Sequence, residues 1–567
     1  MNRTEPRLGS VLRLYGPGEI TRLDPACYHP ATASSQVNRL FARQLFSYRP
    51  ETDLRSWQAI APVPDLAVEI PSIYNAGLGA SGTSYVVHLR SDVYWDTSPS
   101  RRLVAEDVIR GLKRMCNPVI RSPLLTYFLS TVRGLQEFCD GYRADVRSSN
   151  PDPEQLARYQ NSHEIAGVFA LDDQTLVFEL VRPTLAFVNI LALPCASPAP
   201  VEYDALTPNS PEFSANIRSI GPYRPVEVST TRLLFEPNLA WRQESDPIRR
   251  QYLDGLEVIR GPADRTDVAD RIDAGAADLP WGLRVAPDHE DRSGDTSSGL
   301  GYSLDPYVVF NMVSPRADSA LSKREIRQAI AHAIDKETIA ALVSETGWAA
   351  HPADSIIPIG NDGYEDAQLG YRPDLAKART LLAEAGYPDG LSLTAVCPML
   401  PPYPQITRSY AADLAKIGIR VAISELAVED YYALLEDPDR AQHEAWDMAC
   451  LSWWPSWFHR NSQAFLQPLF QANSWRGTAN CGQFHDAQVD KLIETALDTV
   501  DPRECDLRWQ AVQQEVVDAC AIVPLLFQTP VTGPRRSQRV RHAIPLPALG
   551  HAIDLANVRL VTSEVHR

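Results

Sequence analysis

What is scarce in this 567-residue chain narrows its possibilities before any motif is considered. No run of about eighteen apolar residues occurs, so nothing reads as a membrane-spanning helix. The nine cysteines are odd in number and no two stand at CxxC spacing, which implies neither a disulfide framework nor a zinc site. Base is short of acid, 54 residues against 71, and the formal net charge of −17 disfavours nucleic acid and anionic membrane surfaces as partners. Catalytic signatures are missing as well. There is no H-E-x-x-H and no G-x-S-x-G elbow, and the twelve histidines are scattered. GLGASG (77–82) matches a dinucleotide fingerprint in letters. The strand-like SYVVHL follows it, where a helix N-terminus would have to receive a pyrophosphate. No catalytic residue, cofactor or metal ligand is therefore expected. Residues 1–25 lack the apolar core of a signal peptide. The expected location is extracytoplasmic, at the cell surface or secreted, if a leader was removed, and cytoplasmic otherwise.

What is present reads as a folded protein. Hydrophobic residues are 44% and charged ones 22%, an ordinary globular composition. The length exceeds what one core fills, so two or three domains are expected. Residues 10–15 read as a strand. A loop through Leu23, Asp24 and Pro25 then leads to a helix with Val37, Leu40, Phe41 and Leu45 on one face. SYVVHLRSDVYW (84–95) alternates like a strand, and VAEDVIRGLKRM (104–115) predicts a helix. Residues 170–183 predict a hairpin turning at Asp172 and Asp173, 220–238 a strand pair, and 307–312 a buried strand. Residues 322–343 read as one long amphipathic helix with Ile326, Ala329, Ile330, Ala333 and Ile334 inward. Helix and strand then alternate, with stops at Gly386 and Gly418 and a last strand at 521–528. That alternation implies an α/β lobe.

The most informative stretch is WDMACLSWWPSW (446–457). Trp446, Trp453, Trp454 and Trp457 lie in it and Trp475 lies just downstream, so five of the eleven tryptophans are concentrated here. Tryptophan offers a large flat apolar face and one N–H donor, which suits a wall that grips a ligand as well as a packed corner of core.

These phrases, in this order, resemble the family 5 extracellular solute-binding proteins, the peptide-, dipeptide- and nickel-binding components of ABC importers. Relatives of the kind found in actinomycete antibiotic-biosynthesis clusters are among them. The resemblance is carried by LDP (23–25), HLRSDVYWDTSPSRRLVAEDVIRGLKR (88–114), IGPYR (220–224), VVFNM (308–312) with REIRQAIAHAIDKETI (324–339), AKARTLLAEAGYPDG (376–390) and WDMACLSWW (446–454). It implies an α/β, two-lobed periplasmic-binding-protein-like fold of the class II type, with an extra subdomain on the first lobe. Lobe one would take 1–48, 190–268 and 525–567, the extra subdomain 49–189, and lobe two 269–524. The implied protein is a monomer that encloses a peptide or peptide-like ligand by hinge closure and delivers it to a membrane ABC permease.

The resemblance also implies a site. In peptide-binding members the ligand adds as a strand to backbone from both lobes. Here Tyr28 and His29 would contribute from the first lobe, and Ser452, Trp453, Trp454, Ser456 and Trp457 from the second. The family motif is close to G-W-x-x-D, whose aspartate pairs with a peptide ammonium. Ser452 stands at the glycine, Ser456 at the aspartate, and Cys450 where a basic residue is common. A hydroxyl cannot replace an ion pair with a buried ammonium, a loss of about 2–5 kcal/mol. The ligand is then a non-peptide, a blocked peptide, or one held through its side chains, and any bound cation needs another acid. A second expectation is a fold relative recruited to bind or transform a biosynthetic intermediate.

Overall fold

The structure, a computed structural model, describes residues 11–20, 23–30, 32–54, 56–146, 151–282, 285, 302–315, 317–344, 348–364, 370–444, 446–472, 479–530 and 535–561. Trp475 and Ser10 lie outside them. The chain forms two compact units, Met1–His289 with Gly533–Arg567, and Glu290–Thr532.

The longer strands of the first unit are β1 (Val11–Gly16), β2 (Ser84–His88), β3 (Val168–Asp172), β4 (Thr175–Glu179), β5 (Tyr223–Val228), β6 (Arg232–Pro237), β7 (Gly255–Arg260) and β8 (Leu279–Pro280). Five make one sheet in the order β8-β1-β7-β6-β5, parallel around β1 and antiparallel beyond β7. Alternate residues Leu12 and Leu14, Leu233 and Phe235, and Leu256 and Val258 enter one core with Leu40, Phe41 and Trp281. β2, β4 and β3 form a separate antiparallel sheet, and α1 (Ala105–Met115) packs on β3. The hairpin turns at Asp173–Gln174, one residue beyond the expected pair. Asp172 closes β3 opposite Thr175 and accepts from the Gln174 N–H at 2.8 Å.

One expectation is corrected in this unit. The helix expected to run through Leu45 is a 3₁₀ turn, Ala33–Val37, and one α-turn, Asn38–Phe41. The chain becomes extended at Ala42, yet Val37, Leu40, Phe41 and Leu45 are all buried. Two buried ion pairs accompany this turn of the chain. Arg39 and Arg43, four apart, are both drawn inward to carboxylates, Arg39 to Asp554 at 3.1 Å and Arg43 to Asp65 at 2.8 Å. The disulfide state, which the cysteine spacing left open, is settled for one pair: Cys116 and Cys139 form a disulfide that ties the end of α1 to the helix Leu135–Asp145. The two compact units meet along the chain at 289/290 and 532/533. β8 pairs with β1, which keeps 269–280 in the first unit, and the strand Leu526–Pro530 belongs to the sheet of the second.

Arg43, Asp65, Asp246 and Arg249 form a cluster whose side chains are all 0% exposed. Arg249 meets Asp65 at 2.8 Å and Asp246 at 3.4 Å, and Arg43 also donates to the Ser245 carbonyl. Burial pushes the Asp246 carboxyl up, but Arg43 and Arg249 outweigh it and hold it well below the usual carboxylate range.

The second unit is built on β9 (Ser303–Phe310), α2 (Arg324–Ala333), α3 (Lys336–Ser344), β10 (Trp348–Pro352), α4 (Leu375–Glu384), β11 (Ser392–Pro398), α5 (Tyr403–Ala415), β12 (Arg420–Leu426), β13 (Met448–Trp453), α6 (Ser462–Phe470), β14 (Ile522–Pro524) and β15 (Leu526–Pro530). Its sheet runs β10-β15-β9-β13-β11-β12, with β14 also on β9. The single helix expected at 322–343 is two. Ile334 is extended, and Asp335 accepts from the Glu337 and Thr338 N–H groups, capping a new start. Its five inward residues are nevertheless buried in one core with Met448 and Cys450. Gly386 and Gly418, at φ +92° and +89°, end α4 and follow α5 as the sequence suggests.

Two outcomes follow. Asp246→Asn removes one charge from a buried quartet and should lower stability by about 3–5 kcal/mol in urea denaturation. Because its folded pKa is depressed, Asp246 contributes stability that is fully present above the unfolded value near about 4 and lost as pH falls through the folded one. The variant should therefore lose the corresponding part of the wild-type acid sensitivity below about pH 4; an unaltered acid profile would show that the cluster contributes nothing. Cys116→Ser should cost about 2–4 kcal/mol, seen as a lowered thermal midpoint, with a wild-type midpoint counting against a formed bridge.

Candidate functional site: the tryptophan strand and its edge

β13 carries the tryptophan motif into the middle of the second sheet. Residues alternate across it, so Met448, Cys450 and Ser452 share one face and Ala449, Leu451 and Trp453 the other. On one edge β13 pairs with β9 as far as Trp453 opposite Leu304. On its other edge β11 pairs only with Met448 and Ala449. Beyond Ala449, no strand among the described residues covers that edge; the Cys450 carbonyl accepts from the Tyr431 hydroxyl at 2.7 Å.

The tryptophans divide by burial. Trp446 and Trp457 are fully buried, and Trp453 is buried with its indole N–H donating to the Ala464 carbonyl of α6 at 2.7 Å. Trp454 is half-buried. Past it, Ser456 is buried, and the chain reverses at His459 and Arg460, which hold φ of +65° and +50°. Two consecutive non-glycine residues in the left-handed region are strained, and such strain gathers where a loop is fixed by its surroundings. Here the Arg460 N–H donates to the Asp362 carboxylate, the Asn461 amide to Asn361 Oδ1 at 2.7 Å, and the Ser462 hydroxyl to the Asp362 carbonyl at 2.8 Å. The loop after the motif is thus stapled to residues 361–362.

Ser452 Oγ lies 3.3 Å from the Tyr403 hydroxyl, which is also 3.2 Å from Asp305 Oδ1. Cys450 is buried, and burial followed by the Asp305 charge pushes its thiol well above the ordinary range. It is an inert thiol at neutral pH.

Tyr28 and His29 sit in the first unit, apart in sequence and unit from the motif. Asp24 caps the turn Pro25–Cys27 before them and pairs with the buried guanidinium of Arg114, which lies over the rings of Tyr203 and Phe213 at 5.1 and 5.2 Å. Tyr28 closes that turn through its N–H on the Pro25 carbonyl, and the His29 carbonyl accepts from the Thr32 N–H and hydroxyl. Both are buried, and burial pushes the Tyr28 phenol above its ordinary value. Asp305, Tyr403 and the Asn361–Asp362 staple escaped the sequence reading. Asp305 precedes the expected start of its strand, and Tyr403 precedes the expected start of its helix.

The chain matches the family described as "Bacterial extracellular solute-binding proteins, family 5 Middle" over residues 61–476. It belongs to that family. Among its curated relatives, the glutathione-binding protein GsiB of Salmonella choleraesuis (strain SC-B67) is 26% identical over 452 residues, 77% of this chain and 83% of that protein. GsiB of Escherichia coli O1:K1 / APEC is 25% identical over 417 residues, 71% and 78% of the two chains. Among solved structures, the periplasmic binding protein DppA of Helicobacter pylori in complex with peptide STSA superposes with TM-score 0.75 at 20% identity, over 98% of this chain and 99% of that one. The "Clavulanic acid biosynthesis oligopeptide binding protein 2" superposes with TM-score 0.73 at 23% identity, over 98% and 96%. The fold is therefore the α/β fold of family 5 binding proteins, and the family's members named here are binding proteins. Among the described residues no helix is long and apolar enough to cross a membrane.

Within this family 5 chain, Trp453 and Trp454 should respond differently to substitution. Trp453→Phe leaves the Ala464 carbonyl without its indole donor and should cost about 1–3 kcal/mol of stability. Trp454→Phe should cost less than about 1 kcal/mol. Equal losses in denaturant titrations would contradict this division.

Proposed function

We propose that the protein captures a peptide or peptide-like small molecule for ABC-type uptake, by adding it as a strand to the open edge of β13. The observation that carries this reading is the pairing itself: β11 leaves that edge after Ala449, and four motif residues of β13 follow along it. An uncovered edge with an aromatic residue at its end suits main-chain recognition of an extended ligand. Ser452 and Trp454, half-buried, are the proposed direct contacts. Trp453, Ser456 and Trp457 support them from buried positions, and Tyr28 and His29 are the proposed contribution of the first unit. Glutathione, named for the GsiB relatives, is itself a small peptide, which supports this ligand class. Delivery to a membrane permease, action as a monomer and an extracytoplasmic location belong to the same reading. The Cys116–Cys139 disulfide supports that location, because disulfides persist in oxidising compartments.

A second reading is capture or transformation of an intermediate in secondary metabolism. It is favoured by one fold relative, the clavulanic acid biosynthesis oligopeptide binding protein 2, whose 23% identity reaches the fold alone. Turnover of a bound candidate would select it.

Native mass spectrometry of the protein mixed with glutathione and pooled short peptides tests the first reading. A bound peptide mass is expected, with a change in tryptophan emission on binding. Trp454→Ala should weaken that binding by about 1–3 kcal/mol. The absence of any bound peptide would overturn peptide capture, and unchanged affinity in a folded Trp454→Ala would return this side chain to a packing role.

A further inference from the structure

One carboxylate near the motif has no task in the function above. Asp305 lies in β9, immediately before Pro306, and is 1% exposed. Its carbonyl accepts from the Gln528 side-chain amide, whose own carbonyl end of the residue is held by the Ser303 hydroxyl at 3.0 Å, so the backbone here is firmly placed. Its Oδ1 meets the Tyr403 hydroxyl at 3.2 Å, and that hydroxyl meets Ser452 Oγ at 3.3 Å.

The direction of this relay follows from counting protons. A phenol has one, and a carboxylate is a stronger acceptor than a serine hydroxyl, so Tyr403 donates to Asp305. Ser452 Oγ is the alternative acceptor of the same hydroxyl, so a proton given to Asp305 leaves Ser452 Oγ to accept from elsewhere. The relay then ends at the half-buried oxygens of Tyr403 and Ser452, with the Asp305 carboxylate behind them. Such an end recognises a hydrogen-bond donor, and the buried charge favours a cationic one. β13 does not oppose that charge with a base. Cys450 is a neutral thiol lying within the field of Asp305.

We propose that Asp305, acting through Tyr403 and Ser452, anchors a protonated amine of the ligand, the task for which Ser456 carries no charge. The inference rests on the reading that the ligand lies along β13, and its test separates the two. The ligand class it names is a peptide or peptide-like molecule with a free ammonium, in preference to an N-blocked one.

The probes are two equimolar pools of tri- to pentapeptides of the same sequences, without lysine or arginine, one with free N-termini and one N-acetylated. Each is offered to the full chain and read by native mass spectrometry, with calorimetry on the peptides retained. The wild type should prefer the free-amine pool by about tenfold or more, the scale of losing one charged partner in an enclosed site. Asp305→Asn should reduce that preference to within about twofold. Tyr403→Phe, which keeps the carboxylate and removes the relay hydroxyl, should reduce it as well, and decides alone if circular dichroism shows Asp305→Asn unfolded. Equal retention of both pools by the wild type, or an undiminished preference in the folded variants, overturns the anchor and leaves peptide capture standing. Retention from neither pool overturns capture and the anchor with it.

Discussion

Four charges packed together out of water set the geometry of the first unit. Apolar faces attract without direction, and a sheet such as β8-β1-β7-β6-β5 buries similar area in more than one alignment. The pairs among Arg43, Asp65, Asp246 and Arg249 tolerate no such sliding, because a charge left alone at that depth costs several kcal/mol. They join segments about 200 residues apart in the chain, as the Arg43 bond to the Ser245 carbonyl shows directly. Arg39 extends the grip to Asp554 near the C-terminus. Around Asp278 a similar arrangement binds the start to the end of the chain, with the Arg13 N–H, the Ser537 hydroxyl and the Arg539 guanidinium all on one carboxylate.

The parts of the fold that were legible in the sequence are those where local pattern and tertiary packing agree. α1, the β5–β6 pair, α4 and the strand after it, and the glycines that end α4 and follow α5 all rest on short-range periodicity and backbone freedom. Where long-range charge overrules the pattern, the reading failed. The stripe of Val37, Leu40, Phe41 and Leu45 is buried as its spacing suggests, but Arg43 must reach Asp65 and the helix ends to allow it. Asp335 breaks the long helix because its carboxylate caps the second half more strongly than helix propensity favours continuity. The disulfide was illegible for another reason: a separation of 23 residues carries no spacing signal, and only the packing of two helices brings Cys116 and Cys139 together.

The motif shows the same division at smaller scale. Its tryptophans were visible as a cluster, but sequence could not tell which would face inward. Alternation along β13 places Trp453 on α6 and leaves Ser452 on the side of Tyr403 and Asp305. Ser452, Cys450 and Ser456, close in sequence, all lack a full charge. The carboxylate bonded to Tyr403 beside Ser452 belongs to a different strand, β9.

The second unit is one uninterrupted stretch, whereas the first consists of two pieces on either side of it. A ribosome therefore completes every strand of the β9–β15 sheet before it makes Arg539 or Asp554. The second unit can assemble from its own residues as soon as they emerge, since domains generally fold as units during synthesis. The first must wait for part of its pairing: the Asp278 carboxylate gains Ser537 and Arg539, and Arg39 gains Asp554, only when the last segment arrives, 515 residues after Arg39 in the case of Asp554. Until then they stand exposed to solvent and to whatever chaperone attends the chain. Truncation at the C-terminus is thus a lesion of the first unit, not of the one that immediately precedes the cut.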